Sequence, residues 1–285
     1  MKFIISLATL VSTIFAFNID ISDSTIANGK TTIIEFEKEQ SIEYKKVILG
    51  KKSHKIYQHP QDAKKMYVLV PVSYYEKPSD KKVEVFYKEK GQQKSKTIFL
   101  RIKDGKYKKE KINVQKSKVN PKSKKVKKRI AKEYAEAMKI YGISTEKSQI
   151  SSKFISPMES KITSSFGKAR VYNDTLNGYH SGTDYRAKVG TPIKASNDGV
   201  VVLVKDRFYS GGTVILDHGH GIYTCYYHMS DFSVKDGQKI KKAEIIGLSG
   251  VSGRVTGPHL HFSARVGGEQ VDPLQLIELL NKNLF

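Results

Sequence analysis

Apolar and polar residues alternate along most of this chain, and this pattern restricts it to a mainly β fold. In the N-terminal part, the segments TTIIEFE, YVLVPVSYYE, KVEVFYKE and KTIFLRI alternate with a period of two. Turn-forming residues separate them: Asn28-Gly29, Pro60-Gln61, Pro78-Ser79-Asp80 and Gly91. Because successive side chains of a strand face opposite sides, short strands at this spacing predict a small antiparallel β-sandwich over residues 18–103.

A second β-rich region with many glycines follows Phe154 and predicts another domain over residues 151–285. Its strand-like segments are GTPIKASNDGVVVLV, GGTVILDHG, YTCYYHM, AEIIGLSG and PHLHFSARV. The final segment, VDPLQLIELLNKN, predicts a helix that begins at Pro273, with an apolar face through Leu274, Ile277 and Leu280.

Residues 104–150 separate the two β regions. From Asp104 to about Lys128 the composition is dominated by Lys, Ser, Gln and Asn, which predicts a solvated, self-repelling basic linker. A helix is expected over 129–141, since apolar residues recur at helical spacing before Gly142 (Ile130, Tyr134, Ala137 and Tyr141).

The positive charge is concentrated in the N-terminal half. The net charge is +22, and residues 1–150 contain 34 of the 50 Lys and Arg residues but 16 of the 28 Asp and Glu residues. Anionic envelope polymers or a membrane surface are therefore possible partners of the basic linker, although a simple solvated tether explains the same composition. No specific nucleic-acid partner is expected, because no docking helix or stacking platform accompanies the lysines.

The N-terminus predicts export. An uncharged apolar run from Phe3 to about Phe17 follows Lys2, and it is too short for a normal membrane span. Residues 1–17 therefore predict a signal peptide and a periplasmic or cell-wall-associated protein; an uncleaved N-terminal anchor is the alternative. Ala16 is a candidate for the last residue of the signal, but Ile14 two positions earlier is not small, so the cleavage site stays open. The single cysteine, Cys225, excludes an internal disulfide and is expected to be a buried thiol rather than a nucleophile paired with His228.

Six of the eight histidines lie between His180 and His261, which indicates a metal or catalytic site. His180 and Asp184 are four residues apart, and a carboxylate with an imidazole suits Zn²⁺. In a strand, His259 and His261 project to the same side. With His228, three segments could deliver five side chains to one groove, where zinc needs three protein ligands and an open position. The alternative is a set of hydrogen-bonded structural histidines.

The motifs GYHSGTDY, YYHMS and GPHLHF, in this order, resemble the signature of the lysostaphin/LytM-type zinc endopeptidases of bacterial cell walls. The resemblance covers about residues 157–271. It implies an antiparallel β-sheet peptidase domain with an open groove, one Zn²⁺ held by His180, Asp184 and His261, and catalytic roles for His228 and His259. It also implies peptidoglycan as the substrate.

The histidines outside these motifs are expected to have no catalytic role. His218 and His220 in LDHGHG match no ligand position and should be surface or locally hydrogen-bonded residues, while His54 and His59 should lie at the surface or in turns.

The sequence thus predicts a zinc-dependent endopeptidase that hydrolyses peptide bonds in peptidoglycan stem peptides or cross-links. The alternative function is not enzymatic: the protein would be a wall-binding scaffold or an activator of another hydrolase. A further hypothesis is that the sandwich covers the groove and controls hydrolysis. The bond cleaved, endo- or carboxypeptidase action, and the division of roles between His228 and His259 stay open.

Overall fold

A computed structural model describes residues 17–112, 121–172 and 175–285. The predicted signal peptide therefore lies outside the described residues, except for Phe17, which is buried in the core of the sandwich. Within the described ranges, no helix is both long enough and apolar enough to cross a membrane.

The N-terminal part is a sandwich of two sheets. Its strands are β1 (Ile19–Ile21), β2 (Thr25–Ala27), β3 (Thr31–Glu37), β4 (Ile42–Leu49), β5 (Lys52–His54), β6 (Tyr57–Gln58), β7 (Lys65–Pro71), β8 (Ser79–Glu89) and β9 (Gln92–Lys103). One sheet has the order β1-β3-β7-β6 and the other β2-β9-β8-β4-β5. All neighbours are antiparallel except β2 and β9, which are parallel.

Alternation along the strands builds the core between the two sheets. Val68 and Val70 of β7 face Val83 and Val85 of β8 and Leu100 of β9, and all five are buried. The strand predicted for YVLVPVSYYE ends at Pro71, because the chain turns after Val72: the Glu76 N–H donates to the Ser73 carbonyl. The mainly β prediction is confirmed.

The segment between the two β regions is more ordered than the predicted linker. It contains β10 (Lys109–Ile112) and α1 (Lys124–Tyr141), so the helix begins five residues before the expected Arg129. Lysine has a good helix propensity, and one side of this helix is anchored on the C-terminal domain, so its other side can carry exposed lysines.

The buried face of α1 also differs from the prediction. Ala137 and Tyr141 are buried as expected, but Tyr134 is 66% exposed and Glu133 is buried instead. The Glu133 carboxylate accepts hydrogen bonds from Arg129 Nε at 2.6 Å and from the Phe208 N–H at 2.9 Å. The buried face of the helix thus includes the paired carboxylate of Glu133, whereas apolar periodicity alone had predicted that Tyr134 would be buried.

The C-terminal part consists of strands and one final helix, α2 (Pro273–Asn283). The strands are β11 (Ile162–Ser164), β12 (Ala169–Tyr172), β13 (Thr175–Tyr179), β14 (Thr183–Arg186), β15 (Pro192–Lys194), β16 (Gly199–Arg207), β17 (Gly211–Asp217), β18 (Ile222–Phe232), β19 (Lys239–Ile240), β20 (Ile245–Ser249), β21 (His259–Val266) and β22 (Glu269–Val271). The main path of the large sheet is β11-β14-β21-β18-β17-β16-β19, and β10, β12 and β13 form a separate three-stranded sheet.

Helix α2 begins as predicted at Pro273, and Asp272 caps it by accepting from the Leu274 and Gln275 N–H groups. Its buried residues are Pro273, Leu276, Leu279 and Leu280, and Leu274 and Ile277 are half-buried against the neighbouring core, so the packed face is wider than the predicted one.

The sandwich and the C-terminal domain share one apolar core. Ile33 and Leu69 on the sandwich pack in the same buried cluster as Val266 on β21 and Leu276 and Leu279 on α2. This contact lies at the end of β21 opposite to His259. The sandwich is therefore packed against the C-terminal domain and is not suspended on a free tether.

Candidate metal centre and groove

Three side chains converge on one point of the large sheet. His180 Nε2 and His261 Nδ1 each lie 2.8 Å from Asp184 Oδ1, and the two ring nitrogens are 3.0 Å apart. His180 is wholly buried, and Asp184 and His261 are 7% and 6% exposed. In the described parts of the chain, this trio is the group of His, Cys, Asp and Glu residues that could hold a metal ion.

Strand register explains why these residues meet. Asp184 on β14 is directly opposite His261 on β21, and Arg186 is opposite His259. Gly182 allows the close approach of the two strands, because a Cβ atom at this position would lie 2.3 Å from the Phe262 carbonyl oxygen and 2.6 Å from His261 Nε2. The second glycine of the GYHSGTDY motif is thus required by packing.

The His180 ring is oriented from behind. Its Nδ1 lies 2.8 Å from the Ser165 carbonyl oxygen and 3.2 Å from Ser164 Oγ. A carbonyl oxygen only accepts, so Nδ1 carries the proton and Nε2 keeps its lone pair toward Asp184. This is the arrangement that fixes the tautomer of a metal-binding histidine.

The ionisation states of the group suit a cation. Burial alone would raise the pKa of Asp184, but the adjacent His180 and His261 rings outweigh burial and hold the pKa far below its usual value. Burial lowers the pKa of His261 to about 4, so its imidazole is neutral at pH 7. Two imidazoles and a carboxylate are among the ligands that Zn²⁺ takes.

His259 and His228 lie beside this trio. His259 Nε2 is 3.7 Å from Asp184 Oδ1, and the His228 and His259 ring centroids are 4.8 Å apart. Nδ1 of His228 donates to the Ser252 carbonyl, and Nδ1 of His259 donates to that of Gly257. With Nδ1 donating to a carbonyl, Nε2 is the nitrogen of each ring that can accept a proton.

The backbone of His228 is unusual. Its φ is +63°, in the left-handed region that non-glycine residues rarely adopt. The β17–β18 register shifts between Gly212↔Met229 and Val214↔Tyr226, which indicates a bulge at this point of β18. A bulge turns a side chain out of the regular alternation, and here it directs His228 toward His259. Burial first, and then the nearby His261 and His259, lower the pKa of His228 well below its usual value.

Asp184, His228 and His259 line a groove of about 420 Å³. One wall is the loop from Arg254 to Pro258, and Glu110 and Lys111 of β10 contribute to the lining with Arg170 of β12. Among the described residues that line the groove, none belongs to the sandwich at 18–103. The groove is thus formed by the C-terminal domain together with the segment that was predicted to be a solvated linker.

The structure brings all five predicted site residues together and leaves the other histidines outside. His218 and His220 are buried, not surface residues. His218 bonds to the Asp198 carbonyl and to Thr224 Oγ1, while His220 Nδ1 lies 2.7 Å from the Tyr67 hydroxyl of the sandwich.

His54 and His59 are also buried, at 8% exposure each, so neither lies at the surface; His54 is on β5, whereas His59 lies in the turn that connects β6 and β7. His59 lies under the C-terminus, where its Nε2 contacts the Asn283 carbonyl.

Cys225 is a buried structural thiol, as predicted. It is fully buried, burial raises its pKa, and its sulfur lies 3.3 Å from the Tyr141 hydroxyl of α1. A protonated thiol packed under a helix is a poor nucleophile.

The fold and the clustered His and Asp side chains define a metallopeptidase-type domain. Residues 178–273 match the family model of peptidase family M23, so the chain contains an M23 peptidase domain, and this segment includes all five predicted site residues. M23 peptidases are zinc enzymes, and the trio is compatible with that metal.

Relatives with assigned activities match the C-terminal part. The peptidoglycan DD-endopeptidase ShyA of Vibrio cholerae is 43% identical over 122 residues, 42% of this chain and 28% of ShyA. The DD-carboxypeptidase/endopeptidase Mpg of Neisseria meningitidis is 42% identical over 97 residues, 34% of this chain and 22% of Mpg. The matched part thus spans about a quarter of the length of these relatives.

The likeness to a solved structure extends over both domains. A Pseudomonas aeruginosa protein assigned to peptidase M23 superposes with a TM-score of 0.68, covering 89% of this chain and 95% of that one. The sequence identity is 24%, so the match shows a common fold.

Proposed function

We propose that this protein is a zinc-dependent endopeptidase that hydrolyses peptide bonds in peptidoglycan stem peptides or cross-links. The observation that carries the proposal is the single point at which His180 Nε2, His261 Nδ1 and Asp184 Oδ1 meet, with His259 Nε2 3.7 Å from the same oxygen. A metal centre with an adjacent proton acceptor is one of the arrangements that hydrolyse peptide bonds.

In this proposal His180, Asp184 and His261 hold the zinc ion. The fit rests on one ionised carboxylate, on the neutral His261 ring and on a His180 ring whose Nδ1–H is bonded away from the centre. When bound, the ion supplies Lewis acidity for the scissile carbonyl.

His228 and His259 handle protons. Each ring is fixed by an Nδ1–H donated to a backbone carbonyl, so each presents Nε2 as the atom that takes a proton from attacking water or returns it to the leaving amine. The 4.8 Å separation of the rings lets both act on one substrate bond. No division of labour between them is assigned.

Peptidoglycan is proposed because the matched relatives are a peptidoglycan DD-endopeptidase and a DD-carboxypeptidase/endopeptidase. The substrate also accounts for the predicted export, with residues 1–17 as the signal peptide and a periplasmic or wall-associated location. The basic connecting segment, including the exposed lysines of α1, is proposed to contact anionic envelope polymers or a membrane surface, and no specific nucleic-acid partner is proposed.

The domain organisation is proposed as a β-rich N-terminal domain at 18–103, a connecting segment at 104–150 and a peptidase domain at 151–285. The shared apolar core supports a fixed arrangement of the two β domains. No described residue that lines the groove comes from the sandwich. This observation does not favour the hypothesis that the sandwich covers the site.

The test is digestion of isolated sacculi by the purified full-length protein with zinc, followed by mass analysis of the released muropeptides. Hydrolysed cross-links indicate an endopeptidase, and loss of a terminal residue without cross-link cleavage indicates a carboxypeptidase. A zinc-loaded protein that binds sacculi and releases nothing is the result expected for the alternative, a scaffold or activator, and it would refute the enzyme proposal.

A further inference from the structure

Glu110 is a carboxylate in the groove that comes from outside the segment matched by the peptidase family. It lies on β10, which pairs in parallel with β12 so that Glu110 is in register with Arg170. Its side chain is 27% exposed and lines the same groove as His228 and His259. The connecting segment therefore places one negative charge beside the proposed metal centre.

This carboxylate is bound to two cations. Lys168 Nζ lies 3.0 Å from Glu110 Oε1, and Arg170 Nε lies 3.8 Å from Oε2. Both cations are largely sheltered, with 26% and 19% of their side chains exposed. Charges in such a position are screened less than at the open surface, so their balance affects any ion bound nearby.

Two chains of contacts lead from Glu110 to the trio. On one, Arg170 Nη2 lies 3.6 Å from Asp184 Oδ2, the oxygen that does not face the two histidines. On the other, the Ser164 hydroxyl donates to Glu110 Oε1 at 3.3 Å, and Ser164 Oγ lies 3.2 Å from His180 Nδ1. Glu110 thus reaches two of the three proposed metal ligands through one intermediate residue each.

We propose that Glu110 is a positioning residue for the metal centre: it neutralises one of the two cations behind Asp184 and holds Arg170 and Ser164 against the ligands. This inference rests on the proposed zinc function. Without the Glu110 charge, Lys168 and Arg170 leave an excess positive charge next to the site of a divalent cation, and Arg170 competes more strongly for the Asp184 carboxylate.

The experiment measures zinc affinity of the full-length protein by competition with a chromogenic chelator, without substrate. Glu110→Gln keeps the size and a hydrogen-bond acceptor but removes the charge, and it should weaken zinc binding about tenfold, the lower end of the range for residues that support ligands. Glu110→Asp keeps the charge and should stay close to wild type. Lys109→Gln, on the same strand with its side chain to the other face, is the matched control and should have no effect.

A double variant separates charge from folding. Glu110→Gln combined with Lys168→Gln removes one charge of each sign. Zinc affinity should therefore recover toward wild type, although the ion pairs of Glu110 with Lys168 and Arg170 are lost. The absorption spectrum of the Co²⁺-substituted protein should shift in Glu110→Gln, because Arg170 re-orients Asp184. Melting temperatures of the zinc-free proteins check that each variant folds.

The outcomes are distinct. Zinc affinity of Glu110→Gln equal to wild type, an equal loss in Glu110→Asp, or no recovery in the double variant would overturn the inference. Faster release of muropeptides by Glu110→Gln would also overturn it, since the inference expects a weaker metal centre in this variant. If the wild type itself binds no zinc or cleaves no sacculi, the proposed function fails instead.

Discussion

Asp184 and His261 are paired across adjacent antiparallel strands, and Asp184 Oδ1 lies 2.8 Å from His261 Nδ1. The sheet itself therefore sets the distance between two of the three proposed ligands. A preformed pair of this kind costs little reorganisation when a cation binds, because strands hold side chains more precisely than loops do.

Removal of the shared carboxylate charge should abolish metal binding. In Asp184→Asn both histidines keep a neighbour of the same size, but the single anionic donor is lost. Zinc measured by elemental analysis after dialysis should fall from about one ion per chain to a small fraction of that. Asp231→Asn is the control, because Asp231 is exposed and, among the described contacts, its side chain bonds only to the neighbouring Phe232 N–H. Full zinc content in Asp184→Asn would contradict the ligand assignment.

His259→Ala should retain zinc and lose turnover. Its imidazole lies 3.7 Å from Asp184 Oδ1 but is not in the mutually close trio, so its expected role is proton transfer. Loss of a general acid or base costs on the order of 10²–10⁴-fold in rate. The measurement is muropeptide release from sacculi, alongside zinc content on the same preparation. Normal cleavage, or loss of the metal together with activity, would show that the role is different.

Gly182→Ala should destabilise the site by steric conflict. The new Cβ would overlap the Phe262 carbonyl oxygen and His261 Nε2, which are parts of a packed strand pair. Such overpacking costs about 1–3 kcal/mol, and the melting temperature should fall with it. Gly257→Ala is the matched control, since a Cβ atom there meets no atom within 4 Å. Equal melting temperatures for the two variants would refute this account of Gly182.

Acid should destabilise the protein in part through His218. This ring is fully buried, and burial lowers its pKa to about 4. The folded pKa lies below the unfolded value of about 6.5, so the stability contributed by the neutral ring is complete above pH 6.5 and is lost as the pH falls toward 4. From pH 7.5 to 5, the expected loss in unfolding free energy from this group is about 2 kcal/mol.

His218→Gln should reduce that acid sensitivity, as measured by denaturant unfolding of the zinc-free protein at the two pH values. Val201→Ala creates a cavity in the same domain and should lower stability equally at both, because no titration is involved. An unchanged pH dependence in His218→Gln would show that His218 does not carry the effect.

Local sequence pattern predicted the longer strands, and it singled out five residues that the structure brings together. The alternation in TTIIEFE corresponds to β3, and the i, i+2 spacing of His259 and His261 places both rings on one side of β21. These signals are short-range, because the alternation of apolar and polar residues that shows which side of a strand is buried spans only a few residues.

What the sequence did not predict depends on contacts between distant segments. Glu110 is close to Arg170 only because β10 joins the edge of β12, which is about 60 residues away. The burial of His220 needs Tyr67 from the other domain, and the left-handed backbone of His228 needs the β17–β18 register. The high density of lysines at 104–128 also led to a linker prediction where the structure has β10 and the start of α1. Lysines are compatible with a strand or a helix when the other face of that element packs against the protein.

The apolar seam between the sandwich and α2 has a consequence for engineering. A transplant of residues 151–285 into another protein would leave Leu276 and Leu279 facing water, and the excised module would tend to self-associate. Hybrid wall hydrolases built from this chain should therefore carry the sandwich along, or replace those leucines with polar residues before the cut is made.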